Sequence, residues 1–266
     1  MIPDIGLGTY RLKGQDVIDS VTTALELGYR HIDTAQMYGN EAEVGRAIAD
    51  SGVAREDIFL TTKIWTDRFT HDDLIKSLED SLERLGTDYV DLVLLHWPSP
   101  DNEVPVAESI GALVEAKSRG LTRNIGVSNF TMSQLDEALE VEGGDQLITN
   151  QIEVHPFLAN KALANHCSEK GVRVTGYMPL AVGKVMEDDR LKQIADNHSV
   201  TAAQIALAWV AARGIVVIPS STKRAHQQSN LEAMNLTLSN DEIERINALD
   251  RGERIANPSF APVWDE

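Results

Sequence analysis

Cysteine, aromatic rings and basic side chains are all in short supply in this chain. Its 266 residues include one cysteine, Cys167, which excludes an internal disulfide and offers no thiolate set for a metal. A reducing cytoplasm is therefore the expected compartment. Aromatics are 5% of the residues, so each Tyr or Trp near a motif carries weight. Lys and Arg number 24 against 41 Asp and Glu, a net charge of −17. Nucleic acid and anionic membranes both need a basic surface, so neither is expected as a partner. No apolar run approaches the ~20 residues of a membrane helix, and the opening MIPDIGLGTYRLKG has no basic segment followed by an apolar stretch, so no secretion signal is expected. The dinucleotide fingerprint GxGxxG is also missing: GLGTYRLKG lacks the third glycine and the acidic residue about twenty positions further on.

What the chain does have is regular alternation. Short apolar runs at Ile5–Leu7, His31–Asp33, Ile58–Lys63, Val90–His96, Asn124–Ser128, Thr149–Glu153, Val172–Tyr177 and Ile215–Pro219 read as buried strands. Helical stripes lie between them: Val17, Val21, Ala24 and Leu25; Leu74, Leu78, Leu82 and Leu85; Ile110, Leu113, Val114 and Lys117. Asn40, Thr131 and Ser109 or a neighbour suit helix starts, and Gly28, Gly120 and Gly171 suit helix ends. The second to fifth runs end at 33, 63, 96 and 128, intervals of 30, 33 and 32, the length of a βα unit. Eight such units without a break predict an α/β protein, a single-domain (β/α)8 TIM barrel over residues 1–266, in preference to an open doubly wound sheet.

Polar residues mark the ends of these runs. Asp33, Lys63 and His96 each close one, and Tyr38 follows the first. In a barrel these four heads converge on the C-terminal rim, where active sites form. Alone, Lys63 and Asp33 could be a structural ion pair. A phenol beside them changes the reading, because its ordinary pKa of about 10 makes it a poor acid until a neighbouring ammonium favours the phenolate. With an imidazole to bind the receiving oxygen, the set suits protonation of a carbonyl while a hydride reaches its carbon. No further ligand stands at metal spacing around His31 or His155, so both are expected to be structural and no metal is expected.

The segments GLGTY, GYRHIDTAQMYGNEAEVG, TTKIW, SLERLGTDYVDLVLLHWP, GLTRNIGVSNF, NQIEVHP and VIPSSTKRAHQQSNL resemble the aldo-keto reductase family over nearly the whole chain. The likeness is strongest to small bacterial members acting on diketo-gluconate and methylglyoxal-like aldehydes. The resemblance implies Tyr38 as general acid, Asp33 and Lys63 tuning it, and His96 orienting a small carbonyl substrate. It also implies a nicotinamide cofactor, NADPH with NADH as the alternative, bound without a Rossmann domain. By position, Ser128, Asn129 and Gln151 would bind the carboxamide and Tyr177 would stack under the nicotinamide. Thr9, Asp33, Pro179 and Leu180 would line the same site, and the adenosine end would lie at Ser220, Ser221, Thr222, Lys223, Arg224, His226 and Asn230.

Several positions depart from the family pattern. Ser220 and His226 stand where a Lys and an Arg are usual, leaving Lys223 and Arg224 to supply charge for a 2′-phosphate. The chain reaches GLGT within nine residues, so an N-terminal hairpin must be shortened or absent. HWPSPDNEVP, YMPLAVGKVMED and the tail Arg251–Glu266 look too short for a deep apolar pocket, leaving Tyr10, Trp65 and Trp97 as walls, with Tyr38 and His96, around a small polar carbonyl. A monomer is expected. The competing readings are a barrel that keeps a cofactor as a sensor and a class I aldolase with Lys63 as Schiff base.

Overall fold

The computed structural model describes residues 1–265. Eight strands form one parallel sheet in chain order: β1 (Leu7–Gly8), β2 (His31–Asp33), β3 (Phe59–Ile64), β4 (Leu92–Leu95), β5 (Ile125–Ser128), β6 (Leu147–Glu153), β7 (Arg173–Tyr177) and β8 (Val216–Val217). Gly6 and Gly8 N–H groups donate to Val217 and Pro219 carbonyls at 2.8 and 3.0 Å, joining the last strand to the first and closing the (β/α)8 barrel. Gly8 is required at this seam, since a Cβ there would lie 2.8 Å from Ile218 O, a backbone atom.

The helices between strands are α1 (Gln15–Leu27), α2 (Glu41–Asp50), α3 (His71–Leu85), α4 (Val106–Ser118), α5 (Met132–Glu140), α6 (Lys161–Glu169), α7 (Asp189–His198) and α8 (Ala202–Ala212), with α9 (Arg224–Glu232) and α10 (Asn240–Asn247) after β8. The expected stripes are buried: Val17, Val21, Ala24 and Leu25 on α1, and Leu74, Leu78, Leu82 and Leu85 on α3. They share one apolar cluster with Ile32, Leu60, Val93 and Val127 from the strands. Thr131 starts α5 with a reciprocal capping box, and Gly28 ends α1 with φ 102°, a backbone shape that glycine adopts without strain.

Of three local expectations, two need correction. Ser109 lies inside α4, which begins after Pro105, because the fixed φ of proline favours a helix start there. Asn40 stands at the start of α2 as expected, though its side chain makes no capping bond. Its amide donates to Thr9 O and Leu12 O at 3.0 and 3.1 Å and its carbonyl accepts from Thr34 Oγ1 at 2.7 Å, tying the loops after β1 and β2 together. Lys63 does not close its strand, for Ile64 follows it within β3.

Inside the barrel a smaller cluster of Ile2, Leu92, Leu94, Val216 and Ile218 fills the space. Ile2 is buried and Arg173 donates to its carbonyl at 2.9 Å, so a short N-terminal segment occupies the floor where a hairpin was expected to be reduced or missing. Polar residues share this interior: Thr149 and Thr175 hydroxyls lie 2.9 Å apart, and His31 Nε2 is 3.1 Å from Thr61 Oγ1. His31 Nδ1 has no partner among the described residues, and burial pushes the imidazole down to about 4, Asp33 opposing the burial effect and Lys63 adding to it.

An unfolded histidine, with its pKa near 6.5, takes up a proton before this one does. Stability is therefore full above about 6.5 and drains as pH falls toward about 4. The loss approaches ~3 kcal/mol at 1.36 kcal/mol per pKa unit. His31→Gln should flatten that acid limb when Tm is measured from pH 7 to 4; an unchanged limb would assign the acid sensitivity elsewhere.

Candidate active site

The parallel register puts the expected residues at one rim. Gly8 pairs with Asp33, Asp33 with Thr61, Lys63 with Leu94 and Ser128 with Gln151. Asp33, Lys63, Ser128 and Gln151 are all buried. Tyr38 ends a single 3₁₀ turn, Gln36–Tyr38. That turn is anchored by Gln36, whose amide donates to Ser77 O at 3.0 Å and whose carbonyl accepts from Trp65 N–H at 3.0 Å. Lys13 Nζ also donates to Tyr38 O.

Lys63 Nζ donates to Asp33 Oδ1 at 2.5 Å, Thr34 O at 2.9 Å and the Tyr38 hydroxyl at 3.3 Å. Three acceptors around one nitrogen match the three protons of an ammonium. Burial lowers the Lys63 pKa, while the charge and hydrogen bond of Asp33, then Glu41, oppose it. Because an ammonium has no lone pair, the Tyr38 oxygen must accept from Lys63, which leaves the phenolic proton free to go elsewhere. The side chain of Lys63 is fully enclosed, so no amine faces the cavity for Schiff-base chemistry.

The expected lowering of the phenol pKa does not occur in this structure. Burial raises the Tyr38 hydroxyl well above its usual value, and the charge of Asp33 and then Tyr10 add to it. The ammonium is already bound to a carboxylate, so the phenol sees a nearly neutral pair. His96 follows β4, and burial, with the charge of Lys63, holds its pKa well below the ordinary imidazole value. It is a neutral ring at neutral pH, with Nδ1 buried and unpartnered. Tyr38 and His96 rings meet edge-on, their centres 5.6 Å apart.

A cavity of about 630 Å³ opens over this rim. It is lined by Thr9, Tyr10, Asp33, Tyr38, His96 and Trp97 at one end, by Ser128, Asn129, Gln151, Tyr177, Pro179 and Leu180 along its length, and by Ser220, Ser221, His226 and Asn230 at the other. In the wall, Gln151 Nε2 donates to Asp33 Oδ2 at 2.8 Å, Ser128 Oγ to Gln151 O at 2.7 Å, Asn129 Nδ2 to His96 O at 3.0 Å and Tyr177 OH to Asn129 Oδ1 at 2.7 Å. These bonds run from strand to strand, so the carboxamide-type groups are pre-aimed by their neighbours.

Besides the enclosed Lys63, four expected site residues do not line the cavity. Trp65 packs behind it, edge-on to His96 at 5.2 Å. Thr222 and Lys223 are exposed at the start of α9, where Lys223 N–H donates to Ser221 Oγ at 3.1 Å. Arg224 turns to Glu26 on α1, 2.6 Å away. Its guanidinium is thus drawn to a carboxylate that the local sequence did not reveal.

Other residues were missed. Arg11, with φ 65°, is the only Lys or Arg among the lining residues and rests over the Tyr10 ring at 5.1 Å. Met37, Val182 and Met186 add apolar wall. The tail, expected to contribute little, brings Phe260 against Trp65 and Trp97 at 5.8 and 5.5 Å, and Trp264 against Trp97 at 6.0 Å. Residue 266 of that tail lies outside the described residues. Irregular chain gives no periodic signal, and only the aromatic spacing in PSFAPVW could have hinted at this packing.

The donor set and the cavity fit a dinucleotide. Amide and hydroxyl groups meet one end, and α9 presents an N-terminus with no acid in its first turn, which favours a phosphate. No helix of the described residues is long and apolar enough to cross a membrane.

Known proteins give the same picture. Methylglyoxal reductase DkgB of Escherichia coli O157:H7 is 52% identical over 265 residues, 99% of each chain. A glyoxal reductase of Bacillus subtilis is 38% identical over 259 residues, 97% of this chain and 92% of that one. Among solved structures, a candidate 2,5-diketo-D-gluconic acid reductase B superposes with TM-score 0.95 at 42% identity, covering 100% of this chain and 94% of the other. The model of the aldo/keto reductase family matches residues 4–251. With barrel, rim residues and end-to-end likeness in agreement, this chain belongs to the aldo/keto reductase family.

Proposed function

We propose that this chain, as one barrel domain, is an NADPH-dependent reductase of aldehydes and small ketones or dicarbonyls, of methylglyoxal and 2,5-diketo-gluconate type. One observation carries the reading: Lys63 can only donate to Tyr38, so the phenolic proton is free for a substrate oxygen. Tyr38 gives that proton to the carbonyl oxygen. The ammonium 3.3 Å away stabilises the phenolate that remains, and Asp33 at 2.5 Å keeps the ammonium in place. His96, neutral, donates a hydrogen bond to the same oxygen. A reduced nicotinamide supplies the hydride when bound.

Ser128, Asn129 and Gln151 hold the carboxamide end and Tyr177 carries the ring. Thr9, Pro179 and Leu180 line its path, and Arg11 neutralises the diphosphate. Ser220, Ser221, His226 and Asn230 take the adenosine end. Turnover of a panel of dicarbonyls, aldehydes and keto-sugars, run in parallel with NADPH and NADH, tests the reading; no reduction of any carbonyl would reject it.

Cofactor choice should favour NADPH by roughly tenfold. Arg224 is engaged by Glu26, which leaves Lys223 to make the charged contact with a 2′-phosphate. One charge-assisted bond contributes about 1.5–3 kcal/mol, and 1.4 kcal/mol is tenfold. Kd measured by fluorescence quenching should show NADPH binding more tightly, and Lys223→Ala should remove most of the difference while Arg224→Ala removes less. Equal binding of NADH by the wild type would refute the charge argument.

A further inference from the structure

A buried acid outside the Asp33–Tyr38–Lys63–His96 set has an unusual set of partners. Glu153, at the end of β6, is fully buried. Its Oε1 accepts from Ile255 N–H at 2.8 Å and lies 2.9 Å from His155 Nε2, and its Oε2 accepts from Ala256 N–H at 2.7 Å. Phe157 N–H donates to His155 Nδ1 at 3.3 Å, so Nε2 bears the proton shared with Glu153.

Two of the three donors therefore come from the tail, 102 and 103 positions along the chain. Beyond α10 the described residues of the tail form no helix or strand and are held by separate contacts. Glu253 N–H donates to Phe157 O at 2.9 Å, Arg254 Nη2 to Asn160 Oδ1 at 3.1 Å, and Met132 N–H to Asp265 Oδ2 at 2.9 Å. Phe260 and Trp264 lie between the Glu153 anchor and the Asp265 anchor, against Trp65 and Trp97. A carboxylate this deep persists only when hydrogen-bonded. Main-chain donors, unlike side chains, cannot swing away, so the acid fixes the path of the backbone itself.

We propose that Glu153 is a positioning residue for the substrate end of the cavity: its carboxylate docks the tail so that Phe260 backs Trp97, which lines the cavity, and Trp65 behind it. This rests on the reductase reading above. Glu153 then affects substrates large enough to reach Trp97 and leaves the proton-donating chemistry alone.

Hydrogen exchange by mass spectrometry on the full chain tests the docking directly. Glu153→Ala and Ile255→Pro, the latter deleting one donor from the tail side while leaving Glu153 in place, should speed exchange in peptides covering 251–265. Glu153→Gln, which keeps the shape and one acceptor, should fall between them and the wild type. KM for phenylglyoxal should rise roughly three- to tenfold, the size expected for a lost edge-to-face aromatic contact, with kcat and the KM for methylglyoxal unchanged. Unchanged tail exchange in Ile255→Pro, or an equal loss of kcat on both substrates, overturns the proposal, and the first criterion holds even if Glu153→Ala does not fold. If the wild type reduces neither carbonyl, the reductase reading falls, and exchange alone decides the docking claim.

Discussion

Tyr38→Phe should lower kcat for carbonyl reduction by about 10²–10⁴-fold, the usual worth of a positioned general acid, with cofactor affinity unchanged. The ring keeps its packing against Tyr10 and His96, 5.1 and 5.6 Å between centres, so phenylalanine removes the proton donor and little else. The imidazole cannot replace it, because His96 is held neutral by burial. The same two shifts set the pH profile. The phenol, raised by burial, keeps its proton through neutrality, and His96, lowered by burial, stays uncharged until acid conditions. kcat for reduction should therefore be flat from pH ~6 to ~9, without the limb near 6.5 that an ordinary histidine would give. Single-turnover rates across that range, with cofactor binding measured separately, check both statements; near-wild-type turnover in the variant would remove Tyr38 from its role.

The rim was legible in the sequence because parallel barrel strands obey a simple rule. Runs ending at 33, 63, 96 and 128 lie on successive parallel strands, so their C-terminal ends gather at one rim although Asp33 pairs with Thr61 and Lys63 with Leu94. What could not be read depends on separation and on solvent. The Glu153 contacts span more than a hundred positions, and no local pattern announces which backbone a buried acid will hold. Arg224 looks free until α1 delivers Glu26. The Tyr38 shift was misjudged in sign because neighbours in sequence name the charges present and say nothing of how dry the phenol is. Only the fold shows that Asp33 has already neutralised the ammonium.

Lys63→Met should reduce both stability and turnover, and the two losses can be separated. Asp33 would remain buried with Gln151 Nε2 at 2.8 Å as its nearest side-chain donor. Removing one partner of a buried ion pair destabilises by about 3–5 kcal/mol, enough to lower Tm clearly. The phenolate formed during reduction would also lose the ammonium now 3.3 Å away, so kcat should fall by about 10²-fold or more. Adding Asp33→Asn removes the stranded charge while keeping the size of the side chain and an acceptor for Gln151. The double variant should regain most of the lost Tm and remain as inactive as Lys63→Met. Thermal unfolding and kcat measured on the three proteins decide the matter: if activity returns together with stability, Lys63 serves only to hold the barrel rim together, and stabilisation of the phenolate by the ammonium is wrong.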